Sequence, residues 1–293
     1  EMFELTRREF LKIAAMAAAG ATLAACAPKQ PAVEPTKPAE PTKAAEPEKP
    51  VSKYKEAPML AELVKQGKLP PVDQRLPEEP LVIQPIEKVG KYGGEYRLGF
   101  LGPADGAWPY RCTEYENLVR WNVEWTDVVP NVAKSWEVQD GGKTFIFYLR
   151  KGMKWSDGHP FTADDVLFWY EEASNKELNP TFPKTWSTAG DPCVVTKIDD
   201  YTVKFAFTQP YGLFLQRLSC PGGNLFQPKH FRGQFFPGYG DEATIKKMIA
   251  DAAVTYWYEA YGNRVNPRLN PDAPCIWAWK YTSWPSHDQA GAV

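Results

Sequence analysis

Asp157, His159, Asp164 and Asp165 place one imidazole among three carboxylates within nine residues, a grouping that could trade protons as general acid and base. Their neighbours assign them to other work. Asp157-Gly158-His159-Pro160 reads as a turn. Thr162, with Asp165 three residues on, reads as the acidic form of a capping box, and a helix start favours carboxylates through its dipole. The three histidines, His159, His230 and His287, lie far apart and lack metal-ligand spacing. Gly238-Tyr239-Gly240 has no following Gly or Lys to make a phosphate loop. Cys112, Cys193, Cys220 and Cys275 form no CxxC, which argues against redox or zinc chemistry, although export would permit a disulfide in any of three pairings. No catalytic residue, metal site or cofactor site emerges.

What remains is the chemistry of grip. Eleven Trp and fourteen Tyr in 293 residues suit a cleft that holds organic ligands. Trp108, Tyr110, Trp186, Trp277 and Trp279 fall in loops and are candidates to line it, with Ser219 and Asn224 bounding a further loop wall. A net charge of −2 leaves no basic excess to neutralise phosphates, which argues against nucleic acid as a partner.

The elements that would position these groups centre on residues 135–171. Trp136 and Val138 belong to one strand, Asp140-Gly141-Gly142 turns the chain, and Phe145, Phe147 and Leu149 alternate along a returning strand. A helix follows Thr162, with Val166, Trp169, Tyr170 and Ala173 forming a single buried stripe. Upstream, 57–64 is expected as a short helix stopped by Gly67, 92–100 as a first core strand and 117–125 as a half-buried strand. Downstream, 194–198 and 202–207 read as a hairpin, 213–218 as a short helix, and 241–261 as a longer one with Gly262 as its cap.

The first fifty residues stand apart from this pattern. Thr6-Arg7-Arg8-Glu9-Phe10-Leu11-Lys12 resembles a twin-arginine export signal, with Arg7 and Arg8 as the paired arginines. The uncharged run 13–25 is too short for a membrane span. Leu23-Ala24-Ala25-Cys26 resembles a lipobox, with Cys26 as the lipidated residue. Residues 27–53 are rich in Pro, Ala, Lys and Glu, lack aromatics and read as a disordered tether.

The run Val129-Pro130-Asn131-Val132-Ala133-Lys134-Ser135-Trp136, the Asp-Gly-Gly turn, Arg150-Lys151-Gly152-Met153-Lys154-Trp155-Ser156-Asp157-Gly158 and Phe161-Thr162-Ala163-Asp164-Asp165-Val166 resemble the signature of family 5 extracellular solute-binding proteins. The resemblance implies an α/β fold: a type II periplasmic-binding-protein-like lobe with an inserted small α+β subdomain at about 112–190, truncated before the second lobe. The order would be signal 1–26, tether 27–53, extended arm 54–91 and an incomplete binding domain 92–293. It further implies a non-enzymatic, monomeric receptor on the extracytoplasmic side, lipid-anchored, which hands an oligopeptide or oligosaccharide to the permease subunits of an ABC importer. An exported carbohydrate-active hydrolase and a scaffold lipoprotein remain open alternatives.

If Cys26 carries two acyl chains, anchoring is durable. Cys26→Ala is then expected to move the protein from the membrane pellet to the soluble fraction on ultracentrifugation, and retention in the pellet would contradict the anchor.

Overall fold

A computed structural model describes residues 54–97, 99, 105, 113–114, 116–222, 224–286 and 289–292. The signal and tether expected at 1–53 lie outside the described residues.

Alternation builds the sheet. The elements in order are β1 (Val119–Trp121), β2 (Val128–Pro130), β3 (Ala133–Gln139), β4 (Thr144–Leu149), the short pair β5 (Ser187–Thr188) and β6 (Asp191–Pro192), then β7 (Val194–Asp199) and β8 (Thr202–Ala206). β3, β4, β8 and β7 lie in that order in one antiparallel sheet. On β4, Phe145, Phe147 and Leu149 are buried while Thr144, Ile146 and Tyr148 are half-exposed, the two-residue period of a strand with one dry face. Phe147 sits opposite Trp136 on one side and Val203 on the other, which fixes the register. The β3–β4 turn carries three successive positive φ angles, 52° at Asp140, 64° at Gly141 and 87° at Gly142. Glycine takes that backbone without a Cβ penalty, and Asp tolerates it better than most residues.

Helices α1 (Pro58–Lys65) and α2 (Val72–Arg75) belong to the arm. The arm is docked through its backbone: Glu78 N–H donates to Lys151 O at 2.9 Å, and Arg150 reaches Glu79 O at 2.8 Å. The central helix α3 (Ala163–Ser174) starts where the capping box requires, with Thr162 Oγ1 accepting from Asp164 N and Asp165 accepting from Thr162 N.

α3 buries two stripes, not one. Val166 and Ala173 are buried in the cluster that faces the sheet, with Trp169 and Tyr170 packed against it. Phe214 lies at the centre of that cluster, 4.6 Å from Phe145 and 4.8 Å from Phe207 by ring centroids. The second stripe, Asp165, Phe168 and Glu172, has the same i, i+3, i+7 spacing. Phe168 joins a separate cluster with Phe235, Phe236, Met248 and Tyr261. α4 (Phe214–Leu218) packs in the sheet-facing cluster, and the second layer is built by α5 (Lys229–Arg232), α6 (Glu242–Ala252) and α7 (Trp257–Val265), ahead of the β9 (Tyr281–Ser286) and β10 (Gln289–Ala292) hairpin.

Both carboxylates of the second stripe are matched. Asp165 accepts from Thr162 N at 2.9 Å, Lys229 N at 3.0 Å and Trp155 Nε1 at 3.2 Å. Burial nonetheless holds its pKa above the ordinary value, against the pull of those donors. Glu172 is gripped in fork geometry by Arg232, at 2.8 and 2.9 Å, and also accepts the Tyr261 hydroxyl.

Three further expectations change. The strand at 117–125 stops at Trp121, because Asn122 Oδ1 accepts from Thr126 N and Asp127 N and turns the chain. The helix at 241–261 breaks after Ala252: Ala253 is left-handed, and Glu259 accepts from Tyr256 N to start α7 afresh, with Gly262 inside it. Residues 92–97 form no strand and Tyr92 and Tyr96 are exposed, with no partner strand among the described residues. β7 and β8 join β3 and β4 in one sheet, which therefore runs past residue 190.

Arg232→Ala would leave Glu172 buried without its cation, and the expected loss is about 3–5 kcal/mol in urea denaturation, against about 1 kcal/mol for Thr162→Ala. Equal, small losses would show that the Glu172 pair is not a structural tie.

Candidate functional site

Three stretches of chain converge beside the first turn of α3. The strip 224–228 is held there by its backbone, with Gln227 N donating to Asp165 O at 2.9 Å. Phe226 is buried edge-on to Phe161 and Trp155, at 5.2 and 6.2 Å between centroids. The second stretch is the exit from α7, where Arg232 reaches Val265 O and Asn266 Oδ1 accepts from Arg268 N at 3.0 Å. The third is 274–277: Ser156 N donates to Cys275 O at 2.8 Å, and Cys275 N donates back to Ser156 Oγ at 3.1 Å.

Together they enclose a cavity of about 290 Å³, lined among others by Trp155, Asn224, Phe226, Gln227, Arg268 and Trp277. Glu114 is buried at its edge, accepting from Arg268 at 2.6 and 2.5 Å and from the Tyr281 hydroxyl at 2.6 Å. Aromatic side chains, the three side-chain amides of Asn224, Gln227 and Asn266 and one fixed ion pair make a wall suited to a small polar organic solute.

The same wall is poor in reactive groups. Burial raises the Cys275 thiol on this wall, and away from it, in the sheet's apolar cluster, pushes the Cys193 thiol up to about 12, so neither is an activated nucleophile. Cys193, Cys220 and Cys275 are free thiols, and Cys112 lies outside the described residues. Among the described residues no three His, Cys, Asp or Glu side chains are grouped to hold a metal. The imidazole-and-carboxylate grouping becomes a clasp. His159 lies flat on His230, with centroids 3.8 Å apart and planes 4° apart, and Asp157 Oδ2 is 2.7 Å from His230 Nε2.

Of the residues expected at a cleft, Asn224 and Trp277 are on the cavity wall. Trp186 is instead a core residue, 6% exposed and edge-on to Trp169 and Phe214; its place inside the apolar cluster leaves no face for a ligand. Ser219 is fully buried, because its hydroxyl donates to Leu215 O at 2.9 Å and closes α4. Trp279 is exposed and off the cavity. Trp108, Tyr110, Arg7, Arg8 and Cys26 lie outside the described residues. The reading missed Trp155, Phe226, Gln227 and the Glu114–Arg268 pair. Trp155 had a local signal, sitting between two turns, whereas Glu114 and Arg268 are 154 residues apart and had none.

Residues 127–258 match "Bacterial extracellular solute-binding proteins, family 5 Middle", and residues 4–24 match the twin-arginine translocation signal sequence, which marks the chain for export. The periplasmic alpha-galactoside-binding protein of Rhizobium meliloti (strain 1021) is 34% identical over 211 residues, 61% of this chain and 30% of that protein. A solved oligopeptide-binding protein, OppA, superposes with a TM-score of 0.74 at 40% identity, over 83% of this chain and 38% of its own. The periplasmic binding protein MelB of Agrobacterium fabrum C58, solved with stachyose, superposes with a TM-score of 0.58 at 28% identity, over 82% of this chain and 37% of its own. The described residues thus carry the mixed α/β fold of these binding proteins, and the chain spans roughly a third of the length of these relatives.

Native protein treated with iodoacetamide at mildly alkaline pH is expected to leave Cys193 and Cys275 unlabelled in peptide mass maps until denaturant is added. Labelling of Cys193 as fast as of a free thiol in solution would contradict its burial.

Proposed function

We propose, from the match of residues 127–258 to the family 5 bacterial extracellular solute-binding proteins, that the chain belongs to that family and serves as the solute-capturing receptor of an ABC importer. The observation that carries the reading is the superposition on OppA over 83% of this chain at 40% identity. In this reading the solute is an oligopeptide or an oligosaccharide, the two classes named for OppA and for the alpha-galactoside- and stachyose-binding relatives. The cavity bounded by Asn224, Gln227 and Trp277 supplies one wall of the solute site, and closure of a facing lobe supplies the other.

The division of labour follows from the wall's chemistry. Half-buried Trp277 offers an apolar face backed by the buried Trp155, and the amides of Asn224 and Gln227 both donate and accept. The Arg268 guanidinium is already occupied by the Glu114 carboxylate, so it fixes the shape of the wall. Nothing on this wall has to react, which fits capture and release by a monomer that carries no cofactor. Lipidation at Cys26 and the tether at 27–53 would keep the receptor within reach of the permease subunits at the membrane.

A solute that binds only the folded state stabilises it by mass action, by about 2.7 kcal/mol at a concentration one hundred times its Kd. Thermal denaturation of the exported protein with raffinose, stachyose and a set of tri- to pentapeptides is expected to show one such shift. Asn224→Ala and Trp277→Ala should diminish it while leaving the melting temperature without solute unchanged. A flat response to every sugar and peptide would sink the receptor reading.

A further inference from the structure

The hairpin of β1 and β2 carries a feature that solute capture at the cavity does not use. Its connecting residues 122–127 present Trp125 with 69% of its surface exposed, and its backbone is left-handed at φ 60°. A bulky side chain in that conformation is a genuine outlier, and here burial of the ring does not compensate the strain.

The loop is nevertheless held firmly in place. Asn122 Oδ1 accepts from Thr126 N at 2.9 Å and Asp127 N at 3.2 Å, and Asn122 Nδ2 donates to Thr126 Oγ1 at 2.8 Å. Its own backbone closes the turn, with Asn122 N donating to Asp127 O at 2.9 Å and Trp125 N donating to Asn122 O at 3.1 Å. Behind Trp125, the ring of Trp121 stacks at 6.0 Å between centroids with 23° between planes. The outcome is an offset pair of near-parallel aromatic rings, a plate at a hydrogen-bonded hairpin tip, with exposed Glu124 and Asp127 in the same turn.

We propose that the Trp121–Trp125 plate is a surface site for a neutral glycan chain, distinct from the cavity. The C–H face of a pyranose ring is flat, apolar and the size of an indole, and it stacks on an aromatic plate without needing charge. Sugar hydroxyls at the ring's rim donate to carboxylates such as Glu124 and Asp127. Those carboxylates also repel the two polyanionic alternatives for an exposed aromatic tip, anionic lipid headgroups and nucleic acid. The hydrogen-bonded turn has the plate formed before the ligand arrives, which lowers the ordering cost of a weak surface contact.

The test uses the whole chain with maltohexaose and chitotetraose as probes, followed by tryptophan fluorescence and by saturation-transfer NMR. Saturable binding is expected, weakened about tenfold by Trp125→Ala and by Trp121→Ala, the loss of one stacking contact. Trp125→Gly should lose binding yet melt no lower than the parent, because glycine takes the left-handed turn freely. Four results would each overturn the proposal. The first is no saturable signal with either glycan, and the second is binding that survives Trp125→Ala but disappears in Trp277→Ala. The third is a lower melting point in Trp125→Gly, which makes the indole a structural brace. The fourth is Trp125-dependent sedimentation with phosphatidylcholine vesicles, which assigns the plate to a membrane surface.

Discussion

Two carboxylates on one face of α3 have been taken out of water, and the arrangement of the described residues after the sheet follows from where their partners must be. A buried, unmatched carboxylate costs several kcal/mol, so Asp165 and Glu172 each dictate the position of groups far along the chain. Asp165 draws in the Trp155 indole and the start of α5. Glu172 draws in Arg232 and Tyr261, and with them α5 and α7. The apolar residue between them, Phe168, then gives the second layer its contact with α3. Sheet, helix and second layer are stacked because α3 carries one dry stripe and one polar-ended stripe on different faces.

That double role explains what could and could not be read from the residues. The β3–β4 hairpin, the Thr162 cap and the β7–β8 hairpin are encoded by neighbours in sequence, through alternation, glycine turns and a short-range hydrogen bond, so they were legible. The second stripe of α3 was not. Its two ends are acidic, and a carboxylate in a helix reads as a cap or a solvated side chain until its distant partner is known. The same limit applies to Glu114 with Arg268, and in reverse to Trp186 and Ser219. These two occupy positions that look like loop walls, but the sheet's apolar cluster and the end of α4 enclose them. The helix expected across 241–261 failed for a local reason: Glu259 offers its carboxylate to the backbone of Thr255 and Tyr256, and a competing cap outweighs a continuous apolar stripe.

The candidate site inherits its form from this scaffold. Its walls come from segments more than a hundred residues apart, Glu114 at one extreme and Trp277 at the other, and sequence spacing carries no trace of them. What did carry the family signature, the hairpin-and-helix unit, lies beside the cavity and contributes to it only through Trp155. The candidate wall thus draws both on the span that matches the family model, through Trp155, Asn224 and Gln227, and on residues outside it, Glu114, Arg268 and Trp277.

The pinning of 224–228 has a consequence for how such a wall can diversify. Gln227 N is tied to Asp165 O, and Lys229 N to the Asp165 side chain, so the main chain at this strip is fixed by contacts that involve no side chain of Asn224 or Gln227. Those two side chains can be exchanged without disturbing the frame that presents them. A lineage could thus drift from one class of solute to another by substitutions at two or three positions, with stability insulated from selectivity.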